Sequence, residues 1–321
     1  MPEGPDILAA VRDLLEYAGY RLLGAIVPLL PRAAAVWLGR RLGGLAYWLD
    51  ARARATGLEN LALALPGRGD HRCILRASLR TQGVALLDAL WSRRLTPEGA
   101  TRYLEIGPEG EALLARALAE GKGLVVATAH FGSWEMFNLG TGARGLPRCT
   151  FIARPVRNAR IDRHLRRCRE ATGNRLVYRE GALLACLAAL RKGEIVCSVV
   201  DMSVAPEEGG IFAEFFGLPA LTSGALALLA HRRGAPLLFV LCHPLEGGRR
   251  YALRGRLVPV DAAAPRAEEV PRVTRELNRE LEREVRAQPE AWIWTYKRWK
   301  ARPWEEPSAY PSYSLWADQH V

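Results

Sequence analysis

The sequence predicts an α/β fold with a mainly parallel central sheet flanked by helices and preceded by a helical N-terminal region. From Pro2 to about Gly121 the chain reads as helix, and no strand is required there. From Gly123 onward, apolar runs of strand length alternate with helical patterns, which is typical of βαβ units. With 321 residues and 49% hydrophobic content, the chain can bury a large core.

The N-terminal region, residues 1–55, is predicted to associate with a membrane. Within it, residues 17–49 are apolar yet carry arginines, tryptophans and tyrosines. No apolar run reaches the roughly 20 residues of a spanning helix, and no cleavable signal peptide is recognisable. The mixture suits a helical hairpin lying in the membrane interface. A pair of amphipathic helices packed on the core accounts for it equally well.

Composition limits the kinds of partner and site. The chain has 45 Lys and Arg against 34 Asp and Glu, a net charge of +11 carried mostly by arginine. Such a surface attracts phosphate, anionic lipid head groups or an acidic protein. The six cysteines are far apart and form no CxxC pair, so neither a zinc site nor a disulfide framework is indicated.

Four predicted strands each end near a polar side chain. The strands are Leu124 to Ala127, Thr150 to Ala153, Ile195 to Val200 and Leu237 to Leu241, and the side chains are His130, Arg154, Asp201 and His243. If the strands are parallel, all four side chains gather at one edge of the sheet, where α/β proteins bind their ligands. For each residue alone, an ordinary polar loop explains its position as well.

The first of these strands leads into the pattern most indicative of chemistry. Gly132 and Ser133 break the strand and cap a helix, so His130 lies at a strand end and Glu135 in the first helical turn. A histidine with a carboxylate holding its second ring nitrogen is the arrangement that deprotonates a hydroxyl. We therefore predict His130 as a base and Glu135 as the residue that orients it.

Seven arginines recur nearly every third residue after the second strand, and on a helix they form a broad basic face. They are Arg154, Arg157, Arg160, Arg163, Arg166, Arg167 and Arg169. Only Asp162 and Glu170 lie nearby in sequence, so we expect the arginines to repel one another without an anionic partner. No stacking platform or reading motif for nucleic acid accompanies them. Phosphate binding is the predicted role.

A long loop after Asp201 carries apolar residues between glycines. Exposed Phe212, Phe215 and Phe216 are costly unless protein or an acyl chain covers them. A helix is predicted to open at Thr222. The pattern Gly140-Thr-Gly-Ala-Arg-Gly145 does not follow a strand, so it is not a nucleotide fingerprint, and the absence of a GxSxG elbow argues against a hydrolase serine.

Several blocks, in order along most of the chain, resemble the bacterial lipid A late acyltransferases of the glycerolipid acyltransferase superfamily. The H-x4-[D/E] block is His130-Phe-Gly-Ser-Trp-Glu135. The others are Leu58-Glu-Asn-Leu61 with Leu65-Pro66, Arg154-Pro155 through Asp162, Val199-Val-Asp201, Gly209-Gly-Ile-Phe212 through Thr222, and Pro289 through Pro303. Met202 and Tyr296 depart from the pattern, since Gln or His is usual at the first position and His at the second.

The resemblance implies acyl transfer from acyl carrier protein, or less often coenzyme A, to a hydroxyl of a phosphorylated glycolipid such as a Kdo-lipid A precursor. His130 would take the hydroxyl proton and Glu135 would orient the imidazole. Backbone amides of Gly132 and Ser133 and the guanidinium of Arg154 are candidate donors to the developing oxyanion. No metal or redox cofactor is called for.

The resemblance also suggests binding residues, a location and a domain division. Arg154, Arg169, Arg179 and Asp201 are assigned to substrate binding. Phe212, Phe215, Phe216 and Thr222 are assigned to an acyl channel, and the arginine face to acceptor phosphates or the acidic surface of acyl carrier protein. Residues 56–303 form the predicted acyltransferase domain, at the cytoplasmic face of the bacterial inner membrane. Independently of the resemblance, the segment after Arg302 is rich in Pro, Tyr and Trp, so residues 304–321 are predicted to be a tail that wraps loosely or is disordered.

Other assignments remain open at this stage. The same chemistry on another acceptor, such as a phosphatidylinositol mannoside or an aminoacyl lipid, fits the same motifs. From a different class, the chain could be a membrane-bound anion-binding relative that has lost turnover. The intact His130 and Glu135 argue against that second possibility.

Overall fold

A computed structural model describes residues 7–178, 181–303 and 310–316. The α/β fold with a mainly parallel central sheet is confirmed. In those residues, no helix is both long and apolar enough to cross a membrane.

The first part of the chain is almost entirely helical, as predicted. Its helices are α1 (Ile7–Ile26), α2 (Arg32–Leu49), α3 (Ala51–Ala64), α4 (His71–Trp91), α5 (Pro97–Tyr103) and α6 (Pro108–Ala119). The prediction that no strand lies here is wrong, because β1 (Leu104–Ile106) adds to one edge of the sheet. Three residues are too short a run to show strand periodicity. The boundary predicted after residue 55 falls within α3.

The rest of the chain supplies the main sheet and its helices. These are β2 (Leu124–Thr128), α7 (Trp134–Ala143), β3 (Cys149–Ala153), α8 (Ala159–Glu170), β4 (Arg175–Tyr178), α9 (Ala182–Arg191), β5 (Ile195–Val199), β6 (Gly210–Phe215), β7 (Leu218–Ser223), α10 (Ala225–Arg233), β8 (Leu237–Leu245), β9 (Arg250–Val258), α11 (Arg266–Ala287), β10 (Ala301–Arg302) and β11 (Leu315–Trp316).

The main sheet has the strand order β1-β9-β8-β2-β5-β3-β4. The pairs β2–β5, β2–β8, β3–β5 and β3–β4 are parallel, and the β8–β9 pair is antiparallel. The carboxyl ends of β2 and β5 therefore meet at the same edge, with Thr128 beside Val199. This register brings the residues that follow the two strands together.

The C-terminal segment is docked where the structure describes it, which corrects the expectation of a loosely held tail. Ala301 and Arg302 pair with Leu315 and Trp316 in a short parallel ladder. The Tyr310 hydroxyl donates to the Pro219 carbonyl at 2.9 Å. Ser312 and Tyr313 bond Glu59 and Asn60 of α3, so the segment is held by both β7 and α3.

Helices α2 and α4 cross at backbone contact because glycines line the crossing. A Cβ at Gly43 would lie 2.0 Å from the Leu79 carbonyl oxygen, and one at Gly83 would lie 2.2 Å from the Gly39 oxygen. Real side chains do not tolerate such contacts, so only glycine permits this approach. The crossing fixes which residues of the two helices become neighbours.

We expect Gly43→Ala to lower the free energy of unfolding by about 3 kcal/mol, the upper end of overpacking costs, because the added methyl meets backbone that cannot rotate away. The matched control is Gly19→Ala, an exposed helical glycine with nothing within 4 Å. It should raise stability by up to about 1 kcal/mol. Chemical denaturation of both variants measures the difference, and equal stabilities would contradict the close crossing.

Candidate active site

His130 and Asp201 form the centre of the candidate site. The backbone N–H of His130 donates to Asp201 Oδ2 at 2.8 Å, and His130 Nδ1 lies 3.0 Å from Asp201 Oδ1. The indole N–H of Trp292 also donates to Asp201 Oδ2, at 2.9 Å. Three hydrogen bonds therefore fix this carboxylate at the edge where β2 and β5 end.

The surroundings make His130 a stronger base than a free histidine. Asp201 is 1% exposed, whereas the imidazole is 20% exposed. Burial lowers the pKa of His130, but the charge of Asp201 and its hydrogen bond outweigh burial, so the pKa is raised. Burial raises the pKa of Asp201, and the His130 charge and hydrogen bonds outweigh that, so this pKa is lowered. The pair favours an ionised carboxylate beside an imidazole that readily accepts a proton.

The hydrogen bond predicted between Glu135 and His130 is replaced by the bond to Asp201. Glu135 is buried and forms a bidentate ion pair with Arg169, whose Nε lies 3.1 Å from Glu135 Oε2. It also accepts a hydrogen bond at 3.1 Å from the indole of Trp134. The Trp134 ring packs edge-on against the His130 ring, with 4.9 Å between centroids. Glu135 therefore positions the histidine indirectly.

The residue that holds His130 was predicted to bind substrate. In the structure, the Asp201 carboxylate instead accepts hydrogen bonds from His130 and Trp292. Trp292 lies in the C-terminal tryptophan block and is completely buried. The strand-end position of Asp201 was the available signal, and the pairing of β2 with β5 explains why it meets His130.

The backbone N–H groups of Gly132 and Ser133 are not the free donors that were predicted, since that of Ser133 bonds the Cys242 thiol. The Gly132 N–H donates to the Ala291 carbonyl at 2.9 Å, and its left-handed backbone, with φ at +61°, lies so close to Cys242 that a Cβ would be 1.8 Å from that carbonyl oxygen. Ser133 is fully buried, and its hydroxyl accepts the Met136 N–H as the cap of α7. Both residues hold the strand-to-helix turn in place.

The other two strand-end residues lie at the same edge in different surroundings. Arg154 is half-exposed, with Nη2 3.7 Å from Glu208 Oε2. His243 lies inside β8 and stacks edge-on against Phe131. Burial lowers the pKa of His243 despite Glu284, whose Oε2 lies 3.7 Å from Nε2. Arg179 lies outside the described residues.

Several arginines of the arginine face form ion pairs with carboxylates, which corrects the expectation that they have no acidic partners. Two acidic residues of α1 bind Arg157, with Asp13 Oδ1 2.8 Å and Glu16 Oε2 2.6 Å from the guanidinium. Arg166 pairs with Glu170 and Arg169 with Glu135. Within the described residues, Arg160, Arg163 and Arg167 are left without an ion pair. These three form the part of the face that can receive an anion.

The predicted acyl-channel residues lie in a hairpin rather than a loop, and protein covers most of them. Phe215 is completely buried against Trp292 and Trp299, and Phe216 packs on Phe215. Phe212 is half-buried in the same strand. Thr222 is fully buried within β7, and the predicted helix follows it as α10, which begins at Ala225. The Thr222 hydroxyl accepts from Arg298 at 2.6 Å. The contacts of Phe215, Phe216 and Thr222 are those of a packed core.

An apolar cavity of about 70 Å³ lies elsewhere, on the face of the sheet covered by α6 and α7. This is several times the roughly 10–15 Å³ that one water molecule requires. Its walls include Leu113 and Leu114 of α6, Phe137 of α7, Val126 of β2 and Val240 of β8. Strand β2 and helix α7 flank His130 in the chain, so the cavity and the candidate base share two elements.

Tyr296 is a site residue for which the sequence assigned no role. Its hydroxyl accepts the backbone N–H of Ser203, two residues after Asp201, at 3.0 Å. Burial raises the pKa of Tyr296, so the phenol keeps its proton. The hydroxyl can therefore still donate one hydrogen bond. Its departure from the usual histidine was the only sequence signal.

This geometry defines a class of enzyme. A histidine held through Nδ1 by a buried carboxylate, with Nε2 as its remaining acceptor, activates a hydroxyl for attack on an acyl carbon. The family model for bacterial lipid A biosynthesis acyltransferases matches residues 8–301, and the chain belongs to that family. It is an acyltransferase.

Individual relatives are similar along nearly their whole length. The lipid A biosynthesis palmitoleoyltransferase of Escherichia coli (strain K12) is 25% identical over 287 residues, covering 88% of this chain and 90% of the relative. The lipid A biosynthesis lauroyltransferase of the same strain is 24% identical over 314 residues, covering 97% and 99%. A lipid A biosynthesis acyltransferase of Shigella flexneri is 25% identical over 287 residues.

We expect Asp201→Asn to lower the pKa of His130. The wild-type pKa is raised because the carboxylate charge outweighs burial, so burial dominates once that charge is removed. Imidazole resonances followed by NMR against pH measure the shift, with His130 assigned by its own substitution. Glu284→Gln is the control, since it removes the carboxylate beside His243 and leaves His130 unchanged. A His130 titration that stays in place in Asp201→Asn would show that the carboxylate does not set its basicity.

Proposed function

We propose that the enzyme transfers a fatty acyl chain from acyl carrier protein, with acyl coenzyme A as the other possible donor, to a hydroxyl of a Kdo-lipid A precursor. The observation that carries the proposal is the His130–Asp201 pair, with Nδ1 and Oδ1 3.0 Å apart. Names of the relatives, which include a palmitoleoyltransferase and a lauroyltransferase of lipid A biosynthesis, support the acceptor. No metal or redox cofactor enters the proposed reaction.

In the proposed reaction His130 acts first as base and then as acid. Asp201 accepts a hydrogen bond from the Nδ1–H group of His130. Nε2 of His130 then takes the proton of the acceptor hydroxyl while the hydroxyl oxygen attacks the thioester carbon. The resulting tetrahedral intermediate collapses, its C–S bond breaks, and the leaving thiolate takes the proton from the imidazolium. The ionised Asp201 stabilises the imidazolium between the two steps.

The oxyanion of that intermediate needs hydrogen-bond donors. Because the Gly132 amide is already engaged with Ala291, the proposed donors are the Arg154 guanidinium and the Tyr296 hydroxyl. Arg154 is half-exposed, and Tyr296 retains a proton beyond its bond to Ser203. Both residues flank the strand edge at which Asp201 lies.

Acceptor and donor recognition is proposed to use the remaining positive charge. Arg160, Arg163 and Arg167 would hold acceptor phosphates or the acidic surface of acyl carrier protein, and Arg169 would act through Glu135. A phosphatidylinositol mannoside or an aminoacyl lipid is the alternative acceptor. Mass spectrometry of lipids from a deletion strain separates these acceptors, because each would lose a different acylated product.

The N-terminal helices are proposed to rest on the inner membrane at its cytoplasmic face. Large apolar side chains of α1 and α2 and of the turn between them are exposed, which is unusual for a surface facing only water. They are Val11, Leu14, Leu15, Leu22, Ile26, Leu29, Trp37, Leu42, Leu45, Trp48 and Leu49. Their contact with lipid would bring the site to an acceptor that is itself embedded in the membrane.

We expect His130→Ala to reduce turnover at least about 100-fold, as loss of a general base does. The assay uses purified full-length protein, an acyl-acyl carrier protein donor and a tetra-acylated Kdo-lipid A precursor, with acyl coenzyme A as a parallel donor. His71→Ala is the matched control, because the His71 ring bonds the Leu65 carbonyl at 2.8 Å and is not part of the His130–Asp201 pair. Transfer by His130→Ala at the wild-type rate would refute the mechanism.

The apolar cavity between α6, α7 and the sheet is proposed to receive the acyl chain. It replaces the acyl channel that was predicted at the phenylalanines of the β6–β7 hairpin. We expect Leu114→Trp to fill it and to lower kcat/KM for long-chain donors about 10-fold or more, while shorter donors are affected less. Ala115→Trp, on the exposed side of the same helix, is the control. Donor competition followed by mass spectrometry measures the preference, and an unchanged chain-length profile would exclude the cavity.

A further inference from the structure

The crossing of α2 and α4 gathers four arginines that the proposed reaction does not use. Arg40 and Arg41 directly follow Gly39, one of the glycines at the crossing, and Arg76 and Arg80 lie one turn apart on α4. A Cβ placed at Gly44 would lie 3.4 Å from Arg80 Nε, so the guanidinium stem rests directly on α2. We call these four residues the crossing cluster.

The crossing cluster lacks countercharge. Among the residues that the structure describes, no ion pair joins any of its members to a carboxylate, and Arg40 makes one long contact of 3.5 Å with the Gly247 carbonyl. Burial and the charges of the other three lower the pKa of Arg80. Bringing four cations together costs free energy unless an anion neutralises them.

Two exposed tryptophans accompany the cluster. The Arg41 guanidinium lies 5.4 Å from the Trp37 ring centroid, and that of Arg76 lies 5.7 Å from the Trp48 ring centroid. Trp37 is 58% and Trp48 63% exposed. Tryptophan beside arginine is the combination found at the level of lipid head groups, where the ring meets the hydrocarbon boundary and the cation meets phosphate.

We propose that the crossing cluster binds the phosphate of an anionic membrane phospholipid, as a site separate from the acceptor site. This inference rests on the membrane association proposed above. Arg76 and Arg80 point away from the face of α4 that carries Ser78, whose hydroxyl donates to the Trp292 carbonyl at 2.5 Å in the core. The cluster therefore lies on the outer side of the helix whose inner side supports Asp201.

The apolar surroundings favour a lipid over an acidic protein. Leu45 and Leu49, on the same helix as Arg41, are 51% and 75% exposed. A lipid bilayer covers such side chains while its head groups neutralise the arginines. An acidic protein surface would meet the charges but leave these leucines in water.

The test is binding of the full-length chain to vesicles of phosphatidylcholine alone and of phosphatidylcholine mixed with phosphatidylglycerol. We expect Arg76→Gln with Arg80→Gln to lower the partition coefficient onto the mixed vesicles about 30-fold, from the usual contribution of arginines near an anionic surface. Binding to pure phosphatidylcholine should change little. Arg76→Lys with Arg80→Lys should retain most of the binding, since it keeps the charge.

Arg191→Gln with Lys192→Gln is the charge-matched control, at the end of α9 and the edge of the sheet opposite His130. An equal loss in that control, an equal loss on both vesicle types, or unchanged binding by the crossing-cluster variant would overturn the proposal. So would a loss of binding to acyl carrier protein with vesicle binding intact. Turnover of the Arg76→Gln, Arg80→Gln variant on a detergent-dispersed acceptor should be unchanged. Vesicle binding needs no turnover, so a failure of the proposed reaction can be told apart from a failure of the proposed lipid site.

Discussion

The two hydrogen bonds from His130 to Asp201 are the constraint on which the rest of the site depends. One uses the backbone N–H at 2.8 Å and the other the ring Nδ1 at 3.0 Å, so the carboxylate fixes both the position of the chain and the direction of the imidazole. Trp292, from the C-terminal part of the chain, donates its indole N–H to the same carboxylate. Nε2 is thereby left as the acceptor that can meet a substrate hydroxyl.

The sequence predicted the base but assigned its partner to the wrong carboxylate, for a physical reason. Spacing along the chain indicates that Glu135 is near His130, yet the helix that begins at Trp134 turns Glu135 toward Arg169. Asp201 meets His130 because β5 pairs with β2, although β3 and β4 come between them in the chain. Strand order depends on how the helices pack, and local periodicity does not encode it.

The sequence predicted the total positive charge but not which arginines are neutralised in the fold. Five of the seven arginines lie on α8, but Arg154 and Arg157 precede it. The carboxylates that neutralise Arg157 come from α1, more than a hundred residues earlier. The same limit applies to Phe215, whose covering tryptophans come from the C-terminal block. Composition and motifs therefore identified the fold and the family, while three-dimensional neighbours decided which charges remain free and which aromatic side chains are buried.

Helix α4 connects the surface proposed to face lipid with the reacting pair. Its outer side carries Arg76 and Arg80, and its inner side bonds the Trp292 carbonyl through Ser78. At its far end Asp88 binds the buried Arg32 of α2 and accepts from the Tyr251 hydroxyl of β9 at 2.6 Å, which ties both helices to the sheet. Because each of these contacts is buried and polar, α4 cannot shift on the sheet without breaking one of them. A lipid bound at the crossing would therefore fix the orientation of the His130–Asp201 pair relative to the membrane.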